Sequence, residues 1–214
     1  MHLDPLALSL ADRYKLLIGA ILPRPIAFVS TISPTGQTNL APFSFFAGVG
    51  SNPMTLLFCP ALHDDGREKD TLRNAKPTAE GGTGQFVVNV VPHAIGRQMS
   101  ACSTPLPPDE SEFDLASLKP APSIVVKPPR VASSPVAFEC QTLQVIRTNP
   151  GQPAGGNIVL GQVVHVYIDD AAINERLHLE PATLDLIGRM GGNAYCTTRD
   201  RFEIPRGTQA LSNP

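Results

Sequence analysis

Five apolar residues near the start, Leu10, Tyr14, Leu17, Ile18 and Ile21, recur with helical spacing, and Ser9 stands where a side chain caps a helix. The spacing predicts an amphipathic helix over residues 9–18, its apolar stripe a packing face. From Ile26 the period changes. Short apolar or alternating runs at 26–32, 39–41, 45–49, 55–59 and 85–91 are bounded by turn residues, as strands are. Ser33-Pro34-Thr35-Gly36 separates the first two, with Pro suited to the second turn position and Gly to positive φ, which predicts a hairpin. Two longer runs, 135–146 and 157–168, flank a stretch rich in Pro and Gly and predict a second hairpin. In the later run Ile158, Leu160, Val164, Val166 and Ile168 are expected to share one face.

Strands at short spacing, with almost no alternation of strand and helix, favour a mainly β barrel or sandwich with peripheral helices over a doubly wound sheet. Closing the sheet also removes exposed edges. Residues from about 103 to 135 break the pattern, carrying Pro105, Pro107, Pro108, Pro120, Pro122, Pro128, Pro129 and Pro135. Proline at this density forbids regular structure yet stiffens the chain, which predicts an ordered excursion around the barrel or a lid. The polar tail after about residue 203 is expected to fray.

Composition narrows the class. With 214 residues, 42% apolar and 17% charged, the chain reads as one soluble domain, 1–214, long enough to bury a full core. A net charge of -2 argues against nucleic acid as the main partner, so any phosphate site must be local. No stretch approaches the roughly 20 apolar residues that span a bilayer. The apolar run at 16–22 contains Gly19 and lacks the order of a secretory signal, so no membrane partner and a cytoplasmic location are expected. Cys59, Cys102, Cys140 and Cys196 form no Cys-x-x-Cys pair and read as small buried residues.

Several enzyme signatures fail when spelled out. Gly48-Val49-Gly50 and Gly81-Gly82-Thr83-Gly84 do not open helices, so there is no Rossmann or P-loop fingerprint. His63-Asp64-Asp65 reads as a solvated loop, and no other His has metal-ligand spacing. His93 and His165 are expected to find backbone partners. No Gly-x-Ser-x-Gly elbow is present, and hydrolysis has no visible nucleophile and base.

What remains lies between Pro23 and Phe46, with Lys69 to Asn74 downstream. Ser30 and Thr31 end the first strand, and Asn39, Ala41 and Ser44 lie on the return limb. Paired strands can direct donors and acceptors at one planar heterocycle while their amides read its carbonyls. Lys69-Asp70-Thr71 then opens a short helix, where free N–H groups, a hydroxyl and a positive charge suffice for a phosphate. Asp70 would repel that phosphate and is assigned a capping or salt-bridge role. A bland account also fits: turn chemistry at 39–42, core for Phe43, Phe45 and Phe46, and a capped helix at 69–71. Spacing alone does not name the ligand.

The order Arg24-Pro25-Ile26-Ala27-Phe28-Val29-Ser30-Thr31, then Asn39-Leu40-Ala41-Pro42-Phe43-Ser44-Phe45-Phe46, Asn52-Pro53, Lys69-Asp70-Thr71 and Asn74 resembles the flavin reductase-like, FMN-binding split-barrel family, which includes flavoredoxins. The resemblance continues through Phe86-Val87-Val88-Asn89, Ser134-Pro135-Val136-Ala137-Phe138-Glu139-Cys140, Gly161-Gln162-Val163-Val164-His165 and 187–195, covering almost the whole chain. It implies a six-stranded Greek-key barrel forming a homodimer, with FMN near the subunit interface. By the same resemblance Ser30, Thr31, Asn39, Ala41 and Ser44 border the ring and ribityl chain, and Lys69 and Thr71 meet the phosphate. Arg24 is implied as a second phosphate or ribityl contact, and Arg189, Gly191 and Tyr195 complete the site, in part from the partner subunit. Ala75 stands where the family usually has Ile, and Trp is absent. The implied activity is an NAD(P)H oxidoreductase passing hydride from NADH or NADPH to flavin, with reduced flavin supplied to a partner oxygenase. An electron carrier of flavoredoxin type and a non-catalytic flavin sensor or store are the alternatives.

Overall fold

The computed structural model describes residues 1–107 and 110–211; Pro108 and the last three residues of the predicted tail lie outside the described residues. Ser9 caps α1 (Leu10–Ala20), its hydroxyl accepting from the Asp12 amide at 3.1 Å. The stripe along α1 departs from expectation. Leu10, Tyr14, Leu17 and Ile21 are each about half exposed and the helix buries no residue, so no described part of the chain covers this face.

Next come β1 (Ala27–Ile32), β2 (Thr38–Phe43), β3 (Phe46–Ser51), β4 (Met54–Phe58), α2 (Asp70–Ala75), β5 (Gln85–Asn89), α3 (Gly96–Ala101) and α4 (Glu112–Leu115). Two-residue strands β6 (Pro120–Ala121) and β7 (Arg130–Val131) precede the long hairpin of β8 (Val136–Arg147) and β9 (Asn157–Ile168). The chain ends through α5 (Pro181–Leu184), β10 (Ile187–Arg189) and β11 (Tyr195–Thr197). Seven strands, in the order β2-β1-β5-β8-β9-β4-β3, make one antiparallel sheet. All seven coincide with runs visible in the sequence, so the count is seven where the family resemblance implied six.

The two outer strands of this order, β2 and β3, are separated by only Ser44 and Phe45. Edges joined by so short a link must lie close, so the sheet curls into a barrel with a split between them. Ala27, Val29, Phe43, Phe58, Phe86, Val88, Cys140 and Val159 fill its interior, with Leu72 and Ala75 of α2 as a plug. The Phe58 ring lies 5.2 Å from Phe43 and 5.2 Å from Phe86, the latter edge-on, a favourable aromatic geometry.

The face predicted for β9 holds only in part. Val159 and Val163 point into the barrel, Gly161 leaves room for Phe86, and Val164 packs on the opposite side with Val126 and Ala137, as predicted, whereas Val166 and Ile168 pack with Val136 and Phe138 on the other side. The cause is a bulge: Glu139 pairs with His165 and Cys140 with Val163, leaving Val164 as an extra residue that reverses the alternation. At Gly161 a Cβ would come within 2.3 Å of Phe86 Cζ, so only glycine admits the ring there.

Within the Pro-rich stretch the segment from Ser123 to Val131 lies as a strap on the outer face of β1, β5 and β8, and α4, β6 and β7 interrupt the irregular structure that the proline density predicts. Glu139, about 1% exposed, accepts from the amides of Ile124 (2.8 Å), Val125 (2.6 Å) and Val126 (3.1 Å). Asn89 Oδ1 accepts from the Val131 amide at 2.8 Å, and Gln85 from the Lys127 amide at 2.9 Å. Burial alone raises the Glu139 carboxyl, but the three amides and His165 outweigh it and hold the group below its ordinary range. His165 Nδ1 lies 3.2 Å from Glu139 Oε1 and is buried without a hydrogen bond, so this side chain faces a carboxylate and not the backbone partner expected. The backbone N–H of His93 donates to the Asp185 carbonyl at 2.8 Å. Among the described residues no helix is long and apolar enough to cross a membrane.

Candidate functional site

Antiparallel pairing puts Thr31 opposite Asn39, Val29 opposite Ala41 and Ala27 opposite Phe43. Asn39, Ala41 and Phe43 therefore alternate onto one side of β2, and α2 packs beside them through Thr71, Leu72, Asn74 and Ala75. Between β2, α2 and the 102–106 segment opens a cleft of about 390 Å³. Asn39, Ala41, Lys69 and Thr71 of the predicted set line it, with Pro42, Phe43, Arg67, Arg73, Cys102 and Glu112.

A buried polar network sets the floor. Asn39 Nδ2 donates to Thr31 Oγ1 at 3.1 Å and to Thr71 Oγ1 at 2.9 Å, and Asn74 Nδ2 donates to Thr31 Oγ1 at 3.1 Å. Because Thr71 accepts from Asn39, its own O–H proton is left for an acceptor in the cleft. Thr31 is fully buried and orients the two amides instead of facing the cleft. Lys69 occupies the cap position of α2 with no side-chain hydrogen bond and no ion pair among the described residues, although Asp64 is near enough to be felt. Burial lowers its pKa and Asp64 opposes the shift, the balance lying below the ordinary lysine value. An anion in the cleft would restore the charge balance. Asp70 pairs with Arg73 and leaves Lys69 free, which is the salt-bridge role expected of it.

The remaining predicted residues lie elsewhere in this chain. Ser30, one residue before Thr31 on β1, points to the opposite side: it faces the strap, where its hydroxyl donates to the Pro129 carbonyl. Arg24 is about 3% exposed, and its guanidinium donates to Ser44 Oγ (3.1 Å) and to the carbonyls of Ile18 (2.8 Å), Ile21 (3.2 Å) and Met190 (3.0 Å). Four acceptors occupy it as a clamp between α1 and the β10 end. Arg189 pairs backbone to backbone with Arg24, lies 4.5 Å over the Tyr195 ring and donates to the Gly192 carbonyl at 2.6 Å. Gly191 sits near the Ile18 carbonyl, so Arg24, Ser44, Arg189, Gly191 and Tyr195 form a second group beside the exposed stripe of α1.

Glu112 is a cleft residue that spacing missed. It is about 8% exposed, lines the cleft, and accepts from the Leu40 amide of the edge strand β2 at 2.8 Å. Burial raises its carboxyl, with the Leu40 amide pulling the other way. Its only sequence signal is the Ser111-Glu112 start of a one-turn helix inside the Pro-rich stretch. Cys102, also in the cleft wall, is pushed up to about 12 by burial and by the Glu112 charge, so it stays a thiol and is no nucleophile. Cys140 is likewise raised by burial, and all four cysteines are unpaired. Among the described residues no cluster of His, Cys, Asp or Glu would hold a metal.

A curled antiparallel sheet split between its outer strands, with a polar cleft beside the split, is the split-barrel architecture of flavin reductases. The chain belongs to the family of the flavin reductase like domain, which matches residues 19–184. An uncharacterised protein of Deinococcus radiodurans is 38% identical, the match covering 98% of this chain and 91% of that protein. Nitrilotriacetate monooxygenase component B from Bacillus cereus superposes with a TM-score of 0.87 at 31% identity, covering 95% of this chain and 98% of that one. Pseudomonas fluorescens 2-nitrobenzoate 2-nitroreductase does so with a TM-score of 0.81 at 27% identity, covering 97% of each. Flavin-related redox chemistry is the function these relationships support.

Proposed function

We propose that this chain is a cytoplasmic, single-domain FMN-dependent NAD(P)H oxidoreductase that supplies reduced flavin to a partner oxygenase. The observation that carries the reading is the cleft, with the unpaired Lys69 ammonium and the Thr71 hydroxyl at one end and the backbone of Ala41 to Phe43 along the wall. These residues fit FMN chemically: a cation and a hydroxyl for the phosphate, with the β2 carbonyls that point away from β1 and the Asn39 side-chain oxygen as acceptors for the ring and ribityl chain. When bound, FMN supplies the hydride acceptor. The side chains then need only bind and orient, which agrees with the raised thiol of Cys102. Similarity to a monooxygenase component at 31% identity supports the oxygenase partner, and four unpaired cysteines suit a reducing compartment.

The purified protein should bind FMN, and NADH or NADPH should bleach the yellow complex under anaerobic conditions. Bleaching by neither donor would refute the reductase reading. Bound flavin that is reduced only by another protein, with no turnover when free FMN is added, would instead favour an electron carrier of flavoredoxin type.

The uncovered stripe of α1 supports a homodimer. About half of each side chain of Leu10, Tyr14, Leu17 and Ile21 faces outward, as do the β3 residues after Phe46, and aligned apolar residues of this kind suit an association surface. In such a dimer Arg189, Gly191 and Tyr195, beside that stripe, would stand at the partner's cleft. Leu17→Glu should convert a dimer to a monomer in light scattering and weaken FMN binding together with it. A wild-type chain that is monomeric at micromolar concentration would sink this part of the proposal.

A further inference from the structure

The His63-Asp64-Asp65 run, expected from the sequence to be a solvated loop, brings one side chain to the cleft: His63 lines it together with Lys69. The loop that carries His63 is held in place. The His63 amide donates to the Arg67 carbonyl and the Gly66 amide to the His63 carbonyl, both at 2.9 Å, so the chain closes on itself and returns beside His63 just before Lys69. Buried Leu62 fastens one side, its amide donating to the Gly155 carbonyl at 2.9 Å. Gly66, at φ +80°, lies so near the β8–β9 turn that a Cβ would come within 2.3 Å of the Gly151 carbonyl oxygen.

The charges around this loop fall into two sets. Arg67 is paired with Asp65 at 2.6 Å, Arg73 with Asp70, and Glu68 is shared by Lys76 and Arg147. Glu112 stands at the β2 edge, holding the Leu40 amide. Lys69, Asp64 and His63 are left without an ion pair or a side-chain hydrogen bond among the described residues. Lys69 and Asp64 feel each other and their charges cancel. The proton on His63 therefore decides whether these free groups offer a phosphate no net charge or one positive charge, and imidazole is the side chain whose charge changes between about pH 5 and 8.

Resting on the flavin reading above, we propose that His63 is a second phosphate contact whose protonation sets how tightly FMN is held, the flavin being retained at mildly acid pH and released as the imidazole loses its proton. A bound phosphate favours the charged imidazole, so binding takes up a proton and affinity falls as the pH rises. The FMN phosphate pulls weakly the other way, because its second ionisation at about pH 6 makes it a better partner for Lys69. Flavin that leaves on a one-proton change is a resident cofactor below neutrality and a diffusing substrate above it.

Fluorescence titration with FMN and with riboflavin, which lacks the phosphate, tests the assignment without turnover. The wild type should hold FMN about tenfold more weakly at about pH 8.5 than at about pH 6, with riboflavin affinity level. His63→Asn should bind FMN about tenfold more weakly than the wild type at the lower pH and lose the decline toward the higher one. Its riboflavin affinity should equal that of the wild type, which places the loss at the phosphate. His63→Arg should bind FMN tightly at both pH values. Asp64→Asn should strengthen FMN binding at both and keep the decline. Wild-type FMN affinity that is level or rises with pH, or a decline that persists in His63→Asn, would overturn the inference while leaving FMN in the cleft. Failure of FMN to bind the wild type at either pH would overturn the flavin reading as well.

Discussion

Replacing Lys69 and Thr71 together by Ala should weaken FMN binding by about 2–4 kcal/mol, roughly 30- to 1000-fold in Kd, because charge-assisted hydrogen bonds to a phosphate are lost. Fluorescence titration of FMN against the double variant reads the change directly. The two residues separate cleanly. Lys69 makes no side-chain hydrogen bond or ion pair among the described residues, so Lys69→Ala should lower affinity with little change in the unfolding midpoint. Thr71 holds Asn39 at 2.9 Å, so Thr71→Ala should also cost about 1 kcal/mol of stability. Unchanged FMN affinity in the double variant would remove the phosphate from this end of the cleft.

Glu139→Ala is expected to have the largest effect on stability, about 3–5 kcal/mol, because it leaves the amides of Ile124, Val125 and Val126 without an acceptor beneath the strap. In a chain of this size that lowers Tm by on the order of 10 °C. Limited proteolysis should then cut between residues 120 and 131 before the barrel opens. Glu139→Gln keeps one acceptor oxygen and should lose less. The same carboxylate sets an acid limit. Its folded pKa is depressed below the ordinary 4.5, so its contribution is present above that value and is lost as the pH falls through the folded pKa. The strap should therefore become protease-sensitive at acid pH in the wild type, and Glu139→Gln should be less pH-dependent. A strap equally resistant in Glu139→Ala and wild type would show that the three amide contacts are dispensable.

Much of this architecture is legible in the residue pattern because local physics fixes it. Seven β runs and the Ser9 cap depend on neighbours a few residues apart, and each is found. Ser30 and Thr31 show where such reading fails. Both were grouped at one ligand, yet consecutive strand residues face opposite sides, so one meets Pro129 on the strap and the other lies under the cleft. Arg24 is another case: the resemblance implies a phosphate or ribityl contact, while four acceptors, on Ser44, Ile18, Ile21 and Met190, occupy its guanidinium. The bulge at Val164 is invisible in β9 alone because it is defined only against β8.

The run from Arg24 to Phe46 with Lys69 to Asn74 determined by itself the family, the hairpin, and the two kinds of chemistry a phosphorylated ring would need. Only the tertiary structure decided which of those residues share a cleft. That depends on β2 and α2 packing side by side and on Glu112 arriving from more than seventy residues downstream of Leu40, long-range contacts that no local pattern encodes. It also left the α1 stripe uncovered, since what a helix packs on is set by the rest of the assembly and not by its own period.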